Sequence, residues 1–185
     1  MFSMRILFVC TGNVSRSAMA ELLAPHFFSD DSLEFASAGT RGLHDHAISR
    51  DAADLMRRDR IDGAAIAAFR SRRITPSIAS GADLILCFEE RQRGDIVVES
   101  PLVARRTFLI TDFANLCEAA KREGWIEGAN VEERIGSVID NAGLLRPQLP
   151  EAEDVADPQG RGMAAFVEAH NTIVRLFKRL AAALA

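Results

Sequence analysis

The residues best suited to chemistry lie near the start of the chain, where Cys10 is followed by a five-residue loop and then by Arg16 and Ser17. The apolar run 6–9 predicts a strand that ends at Cys10, and a helix is expected to begin near Arg16. This order places a thiol at the end of a strand and an arginine at the start of a helix. Such an arrangement can hold an anion next to a nucleophile.

The loop between the thiol and the arginine has the residue types that an oxyanion site needs. Gly12 allows the backbone N–H groups to turn inward, and the helix that follows adds the positive end of its dipole. Arg16 can bind two phosphate oxygens with its planar fork. In these surroundings we expect Cys10 to ionise to the thiolate, which is the form that attacks, and Ser17 to hydrogen-bond the sulfur. The candidate phosphate-binding residues are Thr11, Gly12, Asn13, Val14, Ser15, Arg16 and Ser17. The alternative is a buried strand cysteine followed by a polar helix cap.

Composition narrows the class of protein. The chain has 185 residues, 48% of them hydrophobic, and a net charge of -4, which is typical of a globular domain. Without a basic excess or a long apolar run, we expect neither nucleic acid nor a membrane as a partner. The three cysteines have no metal-ligand spacing, and His44 and His46 have no further ligands nearby, so neither a metal nor another cofactor is expected. A reducing compartment, the cytoplasm, is the expected location.

Strand and helix patterns alternate along the chain, which predicts the α/β class. We expect a three-layer sandwich, in which helices cover both faces of a four-stranded parallel sheet. Strands are predicted at 4–10, 33–37, 84–88 and 107–110, and helices at 16–29, 48–60, from Thr75 onward, and at 112–123, 131–143 and 162–184. Residues 147–158 contain three prolines and are predicted to form a loop. In such sheets, ligands bind beyond the carboxyl ends of the strands, where Cys10 lies.

The segment from Val9 to Glu21 resembles the low-molecular-weight protein tyrosine phosphatase family and the arsenate reductases of the same fold. The segment Asp154-Val155-Ala156-Asp157-Pro158 resembles the place where the family carries its general-acid Asp-Pro. Segments 37–40 and 82–87 are also similar to the family, in the family's order. The resemblance implies the phosphatase-I-like fold and a single domain over 1–185, with a helical elaboration at about 115–153 that the family does not need.

The resemblance also implies a role for each catalytic residue. Cys10 would form a phosphocysteine, Arg16 would bind the phosphate oxygens, and Asp157 would protonate the leaving oxygen and later deprotonate water. Asn13 can adopt a left-handed backbone, and the family's pattern gives it and Ser37 the task of bracing the loop. Asp154 could share the acid role instead.

Two positions depart from the family pattern. Ser15 replaces a second loop cysteine that many members carry, so this loop has no partner for a protective disulfide with Cys10. Leu43 stands where an aromatic wall residue is expected. Unless Trp125, Phe113 or Phe88 reaches the rim, the site lacks the ring-stacking surface that phosphotyrosine would use.

Three functions therefore stand as alternatives. The first is a phosphomonoester phosphatase, acting on phosphorylated proteins, above all on phosphotyrosine, or on small phosphomonoesters. The second is an arsenate reductase that uses Cys10 and an external small-molecule thiol, because Cys87 and Cys117 do not have the spacing of an internal relay. The third is an oxyanion-binding or regulatory protein without turnover. The sequence leaves the oligomeric state open.

Overall fold

The computed structural model describes residues 3–28, 30 and 32–185. Four strands form a parallel sheet in the order β2-β1-β3-β4. They are β1 (Met4–Cys10), β2 (Leu33–Gly39), β3 (Leu84–Cys87) and β4 (Thr107–Leu109). Because parallel strands all end at the same edge, the loops after β1 and β3 lie side by side there.

The helices cover both faces of this sheet. They are α1 (Arg16–Phe27), α2 (Arg50–Arg58), α3 (Gly63–Ala68), α4 (Pro76–Ser80), α5 (Glu90–Glu99), α6 (Ile110–Glu123), α7 (Val131–Leu145) and α8 (Met163–Leu184). Short 3₁₀ turns span Pro101–Arg106 and Arg146–Gln148.

The two faces of the sheet bury different sets of residues. Side chains alternate across a strand, so Phe8 of β1 points to the larger core, which also takes up α1, α2, α6, α7 and α8. Val9 points to a smaller core formed with α4, α5 and the 3₁₀ turn at 101–106. The predicted three-layer α/β sandwich with a four-stranded parallel sheet is confirmed.

Several element boundaries differ from the sequence prediction. The pattern missed α3 and α5, because α5 buries only Gln92 and Ile96 and therefore shows little helical periodicity. The strand predicted at 107–110 ends at Leu109, because α6 begins directly at Ile110. The first predicted helix ends at Phe27 rather than at 29, and residue 29 lies outside the described residues, as do Met1, Phe2 and Asp31.

The segment 115–153 contains most of α6 and all of α7. One side of α7 is buried against the larger core through Ile135, Val138, Ala142 and Leu145. Near the end of the segment, Arg146 pairs with Asp112 at 2.5 Å. Asp112 lies in the first turn of α6, directly after β4, so this contact places the end of the segment at the edge of the sheet where Cys10 lies. In the part of the chain that the structure describes, no helix has both the length and the apolar character that crossing a membrane requires.

Phe177 of α8 is the residue whose side chain we expect to contribute most to the stability of the larger core. It is fully buried, and its ring centroid lies 5.5 Å from that of Phe8 and 5.6 Å from that of Phe27. Phe177→Ala should lower the free energy of unfolding by about 3–5 kcal/mol, measured by urea denaturation, because it leaves a cavity among these rings. Val98→Ala, at a side chain that is 81% exposed, should change it by less than about 0.5 kcal/mol. A loss at Phe177 no larger than that control would contradict the role assigned to this contact.

Candidate active site

The loop after β1 has a backbone shape that only certain residues allow. Asn13 has a φ of 56°, a left-handed conformation that asparagine tolerates better than most residues. Gly39, at the end of β2, packs directly beneath this loop. A Cβ added to Gly39 would lie 2.5 Å from the Thr11 carbonyl oxygen and 3.0 Å from the Asn13 nitrogen, so only glycine fits there.

The thiol of Cys10 lies inside this loop and is only 2% exposed. Its sulfur is 3.0 Å from the Ser17 hydroxyl oxygen and 3.3 Å from the backbone nitrogen of Asn13, whose N–H donates to it. The structure therefore brings Cys10, Asn13 and Ser17 together as the sequence predicted.

The same loop carries backbone donors that the protein leaves unpaired. The first N–H groups of α1 have no earlier carbonyl within the helix, and Ser15, Arg16 and Ser17 are all buried. Among the described residues we find no acceptor for the N–H groups of these three residues. Buried donors at a helix start are the usual binding site of a phosphate-like anion.

Arg16 is the most deeply buried charged side chain of the site, 1% exposed. Its Nη1 donates to the Glu89 carboxylate and to the Val155 carbonyl oxygen, the latter at 2.6 Å. Its Nη2 lies 3.1 Å from Oδ2 of Asp157. Within the described residues its Nε has no hydrogen-bond partner. The Nε and Nη2 edge of the guanidinium is thus the edge that two phosphate oxygens could share.

The two candidate acids lie in the late loop, residues 149–162 between the 3₁₀ turn Arg146–Gln148 and α8, and they have different surroundings. Asp157 contacts Arg16, and its Oδ1 also accepts from the backbone N–H of Gln159 at 3.1 Å. Asp154 instead accepts from the backbone N–H of Glu90 at 2.9 Å, at the start of α5. Asp157, rather than Asp154, is therefore the carboxylate beside the guanidinium.

A hydrogen-bonded network supports the loop from behind. The Asn13 amide donates to the hydroxyls of Ser17, at 2.9 Å, and of Ser37, at 2.7 Å, while its carbonyl accepts from the backbone N–H of Arg72. Ser37 in turn donates to Glu21 at 2.5 Å. Burial raises the pKa of the Glu21 carboxyl above its usual value, although the Ser37 hydrogen bond and the Arg72 charge oppose that shift.

At position 43, where an aromatic wall residue was expected, the rim of the site carries an aliphatic side chain. The N–H of Leu43 reaches the Gly12 carbonyl at 3.4 Å, and its side chain is 47% exposed beside the phosphate-binding loop. Phe88 and Phe113 are fully buried. Trp125 follows α6, which runs away from this edge of the sheet, and packs against the larger core. None of the three aromatic candidates forms a wall of the site.

The other cysteines are not placed for chemistry with Cys10. Cys87 pairs with Val9 across the sheet and faces the smaller core, whereas Cys10 faces the larger one. Burial raises the pKa of the Cys87 and Cys117 thiols well above the usual value, which keeps them protonated. In residues 3–28, 30 and 32–185, no cluster of three or more His, Cys, Asp or Glu side chains could hold a metal ion.

Sequence reasoning missed several residues that the structure brings to the site. Glu89 pairs with Arg16, and Gln92 binds Glu89 and the Thr11 hydroxyl, each at 3.1 Å. Gln159 accepts from the Ser15 hydroxyl at 2.9 Å. A signal for the first pair exists, because Glu89 directly follows a buried strand and parallel strand ends share one edge. Nothing in the sequence indicates the contact of Gln159.

Comparison with known proteins matches this chain to one family. The sequence model of the family described as "Low molecular weight phosphotyrosine protein phosphatase" matches residues 5–125. The low molecular weight protein-tyrosine-phosphatase Etp of Escherichia coli is 32% identical over 104 residues, which are 56% of this chain and 67% of that protein.

Solved structures show the same fold. A low molecular weight protein tyrosine phosphatase from T. tengcongensis has a TM-score of 0.70 and 25% identity, over 96% of this chain and 97% of its own. The tyrosine phosphatase Wzb from Escherichia coli, solved in complex with sulphate, has a TM-score of 0.70 and 22% identity over 100% of both chains.

The fold and these matches define a cysteine-based phosphatase. The chain belongs to the low molecular weight phosphotyrosine protein phosphatase family, which confirms the resemblance found in the sequence. The arsenate reductase alternative is not favoured by these comparisons.

The raised pKa of Glu21 gives a prediction about stability and pH. A carboxyl whose pKa is higher in the folded state than in the unfolded chain stabilises the fold at low pH, and this contribution is lost as the pH rises through the folded value. The free energy of unfolding of Glu21→Gln minus that of the wild type should therefore increase as the pH rises from acidic to neutral, measured by urea denaturation. Glu127→Gln, at an exposed carboxyl, is the control and should show a flat difference. A flat difference for Glu21→Gln as well would show that burial does not perturb this carboxyl.

Proposed function

We propose that this phosphatase hydrolyses phosphomonoesters through a phosphocysteine on Cys10, with Asp157 as general acid and base. The observation that carries the proposal is the contact of 3.1 Å between Arg16 Nη2 and Asp157 Oδ2. It supports the proposal because one buried guanidinium links the phosphate-binding loop to the only carboxylate of the late loop that faces it. The nucleophile, the cation and the acid can then all act on one phosphate group.

In the first step, the Cys10 thiolate attacks phosphorus while the bond from phosphorus to the leaving oxygen breaks. Asp157, in its protonated form, gives its proton to that oxygen. The negative charge on the other three phosphate oxygens is stabilised by N–H groups of the phosphate-binding loop, among them those of Ser15, Arg16 and Ser17, and by the Nε and Nη2 edge of Arg16. The Ser17 hydroxyl, 3.0 Å from the sulfur, stabilises its negative charge before attack.

In the second step, water attacks the phosphocysteine. Asp157, now a carboxylate, takes a proton from this water, the bond between phosphorus and sulfur breaks, and Cys10 leaves as thiolate. Inorganic phosphate is released, and a later proton uptake by Asp157 restores the enzyme. Asn13 and Ser37 act from behind by holding the loop that carries these donors.

For substrate, we propose phosphorylated proteins, with phosphotyrosine as the favoured residue, and small aryl phosphates. The relatives named protein-tyrosine-phosphatases support this class. Leu43 gives the phenyl ring an aliphatic contact instead of an aromatic one, so ring binding should be weaker by about 0.5–1.5 kcal/mol than with a stacking partner. The cytoplasm is the proposed location, since the three cysteines are free thiols.

The experiment that tests this function is hydrolysis of 4-nitrophenyl phosphate and phenyl phosphate without added metal, from acidic to neutral pH. We expect Cys10→Ser to lose activity to background and to form no phosphocysteine on mixing with substrate. Asp157→Ala should lower kcat/KM for phenyl phosphate by about 10²–10⁴-fold, because the phenolate then leaves without a proton.

Asp154→Ala is the matched control in the same loop, and its loss should stay below about tenfold, because Asp154 caps α5 and does not contact Arg16. A larger loss in Asp154→Ala than in Asp157→Ala would reverse the assignment of the acid. A wild type that is folded but inactive towards every aryl phosphate would overturn the proposed function.

A further inference from the structure

The loop that carries Asp157 is fastened to the rest of the site on its upstream side by backbone contacts. The Thr111 hydroxyl donates to the Glu153 carbonyl oxygen at 2.8 Å. The backbone N–H of Val155 donates to the Phe88 carbonyl oxygen, also at 2.8 Å, and the Val155 carbonyl accepts from Arg16. These contacts fix the chain up to two residues before Asp157.

Downstream of Asp157, one side-chain contact reaches the phosphate-binding loop. The Ser15 hydroxyl, in a residue that is 4% exposed, donates to Oε1 of Gln159 at 2.9 Å. The chain then continues through Gly160 and Gly162, whose φ values of 76° and 79° lie in the left-handed region that glycine adopts without strain. Pro158 is buried, and the N–H of Arg161 donates to its carbonyl oxygen at 3.0 Å, so the turn after Asp157 is packed and hydrogen-bonded. Among the described residues, the hydrogen bond between Ser15 and Gln159 is the side-chain contact that joins this turn to the phosphate-binding loop.

Gln159 also acts directly on the carboxylate of Asp157. Its backbone N–H donates to Oδ1 at 3.1 Å, while Oδ2 of the same carboxylate lies 3.1 Å from Arg16. The two oxygens of Asp157 are therefore held from two sides, one by Gln159 and one by Arg16. Because the Asp157 side chain is 46% exposed, burial alone does not fix its direction.

We propose that Ser15 and Gln159 are a pair of positioning residues, whose hydrogen bond holds Asp157 in reach of the leaving oxygen. The Ser15 side chain thus has a task that differs from its backbone's part in phosphate binding. The proposal rests on the proposed function, in which Asp157 is the general acid. Neither side chain transfers a proton itself.

The dependence on the leaving group separates this role from a merely structural one. The value of kcat/KM reports transfer of the phosphoryl group to Cys10, the step in which the leaving oxygen takes its proton. A weakly basic leaving group such as 4-nitrophenolate departs without full protonation, whereas phenolate needs the acid. A misplaced acid therefore slows phenyl phosphate more than 4-nitrophenyl phosphate, and a misshapen phosphate-binding loop slows both equally.

The experiment measures kcat/KM for both substrates in Ser15→Ala, Gln159→Ala and the double variant. Each single variant should lose about tenfold with phenyl phosphate and less than about threefold with 4-nitrophenyl phosphate. The double variant should lose no more than the larger single loss, because both changes remove the contact between Ser15 and Gln159. Only Ser15→Ala also removes the longer contact, 3.4 Å, between the hydroxyls of Ser15 and Ser49. Inhibition by inorganic phosphate should stay within about twofold of the wild type, since the loop itself is intact.

Ser15→Thr and Gln148→Ala serve as controls. Ser15→Thr keeps a hydroxyl and should restore most of the selective loss, and Gln148 is an exposed glutamine whose removal should have no effect. Equal losses with both substrates, additive losses in the double variant, or a weaker inhibition by phosphate that accounts for the whole loss would each overturn the proposal.

Asp157→Ala, measured in parallel, distinguishes a failure of the positioning role from a failure of the proposed function. If it shows the selective loss and Gln159→Ala does not, the positioning role is wrong and the proposed function stands. If Asp157→Ala shows no selective loss, the acid assignment fails, and the role of Ser15 and Gln159 fails with it.

Discussion

A guanidinium that is 1% exposed needs negative charge around it, and this need organises the whole site. A buried charge is costly unless it is paired and hydrogen-bonded. Arg16 therefore contacts two separate parts of the chain, Glu89 after β3 and the loop that carries the Val155 carbonyl and Asp157. An incoming phosphate would bind the Nε and Nη2 edge, beside Asp157, while Glu89 stays paired with Nη1. The contacts that stabilise Arg16 in the free protein thus also bring together the groups to which the proposed function gives a role in catalysis.

The second requirement is that the loop around Cys10 keeps a shape with inward-facing donors. A left-handed residue inside a short loop is stable only when its surroundings hold it. Here the Asn13 amide binds Ser17 and Ser37, and Gly39 leaves room for the backbone beneath. These supports lie on β2 and α1, so the sheet and the first helix together set the geometry of the nucleophile. The loop around Cys10 is thus held by buried contacts, whereas the more exposed loop that carries Asp157 depends on hydrogen bonds of its own.

The local features of the site could be predicted because they depend on neighbours in the sequence. A strand that ends at Cys10, a loop with Gly12 and Asn13, and a helix that begins at Arg16 follow from residue types within one short segment. The alternation of strands and helices predicted the parallel sheet for the same reason. By contrast, α5 escaped prediction, because it buries little and so leaves no periodic pattern.

The sequence by itself determined the class of fold, and it indicated the candidate nucleophile and anion-binding loop, since each of these is encoded by consecutive residues and their spacing. Only the tertiary structure showed that Asp157, and not Asp154, lies beside Arg16, and only it brought Glu89 and Gln159 to the site, because these last contacts join residues 73 and 144 positions apart. Contacts at such separations depend on how the strands order in the sheet and where the late loop returns. A pattern of residue types along the chain does not carry that information, whereas the packing of the buried core does.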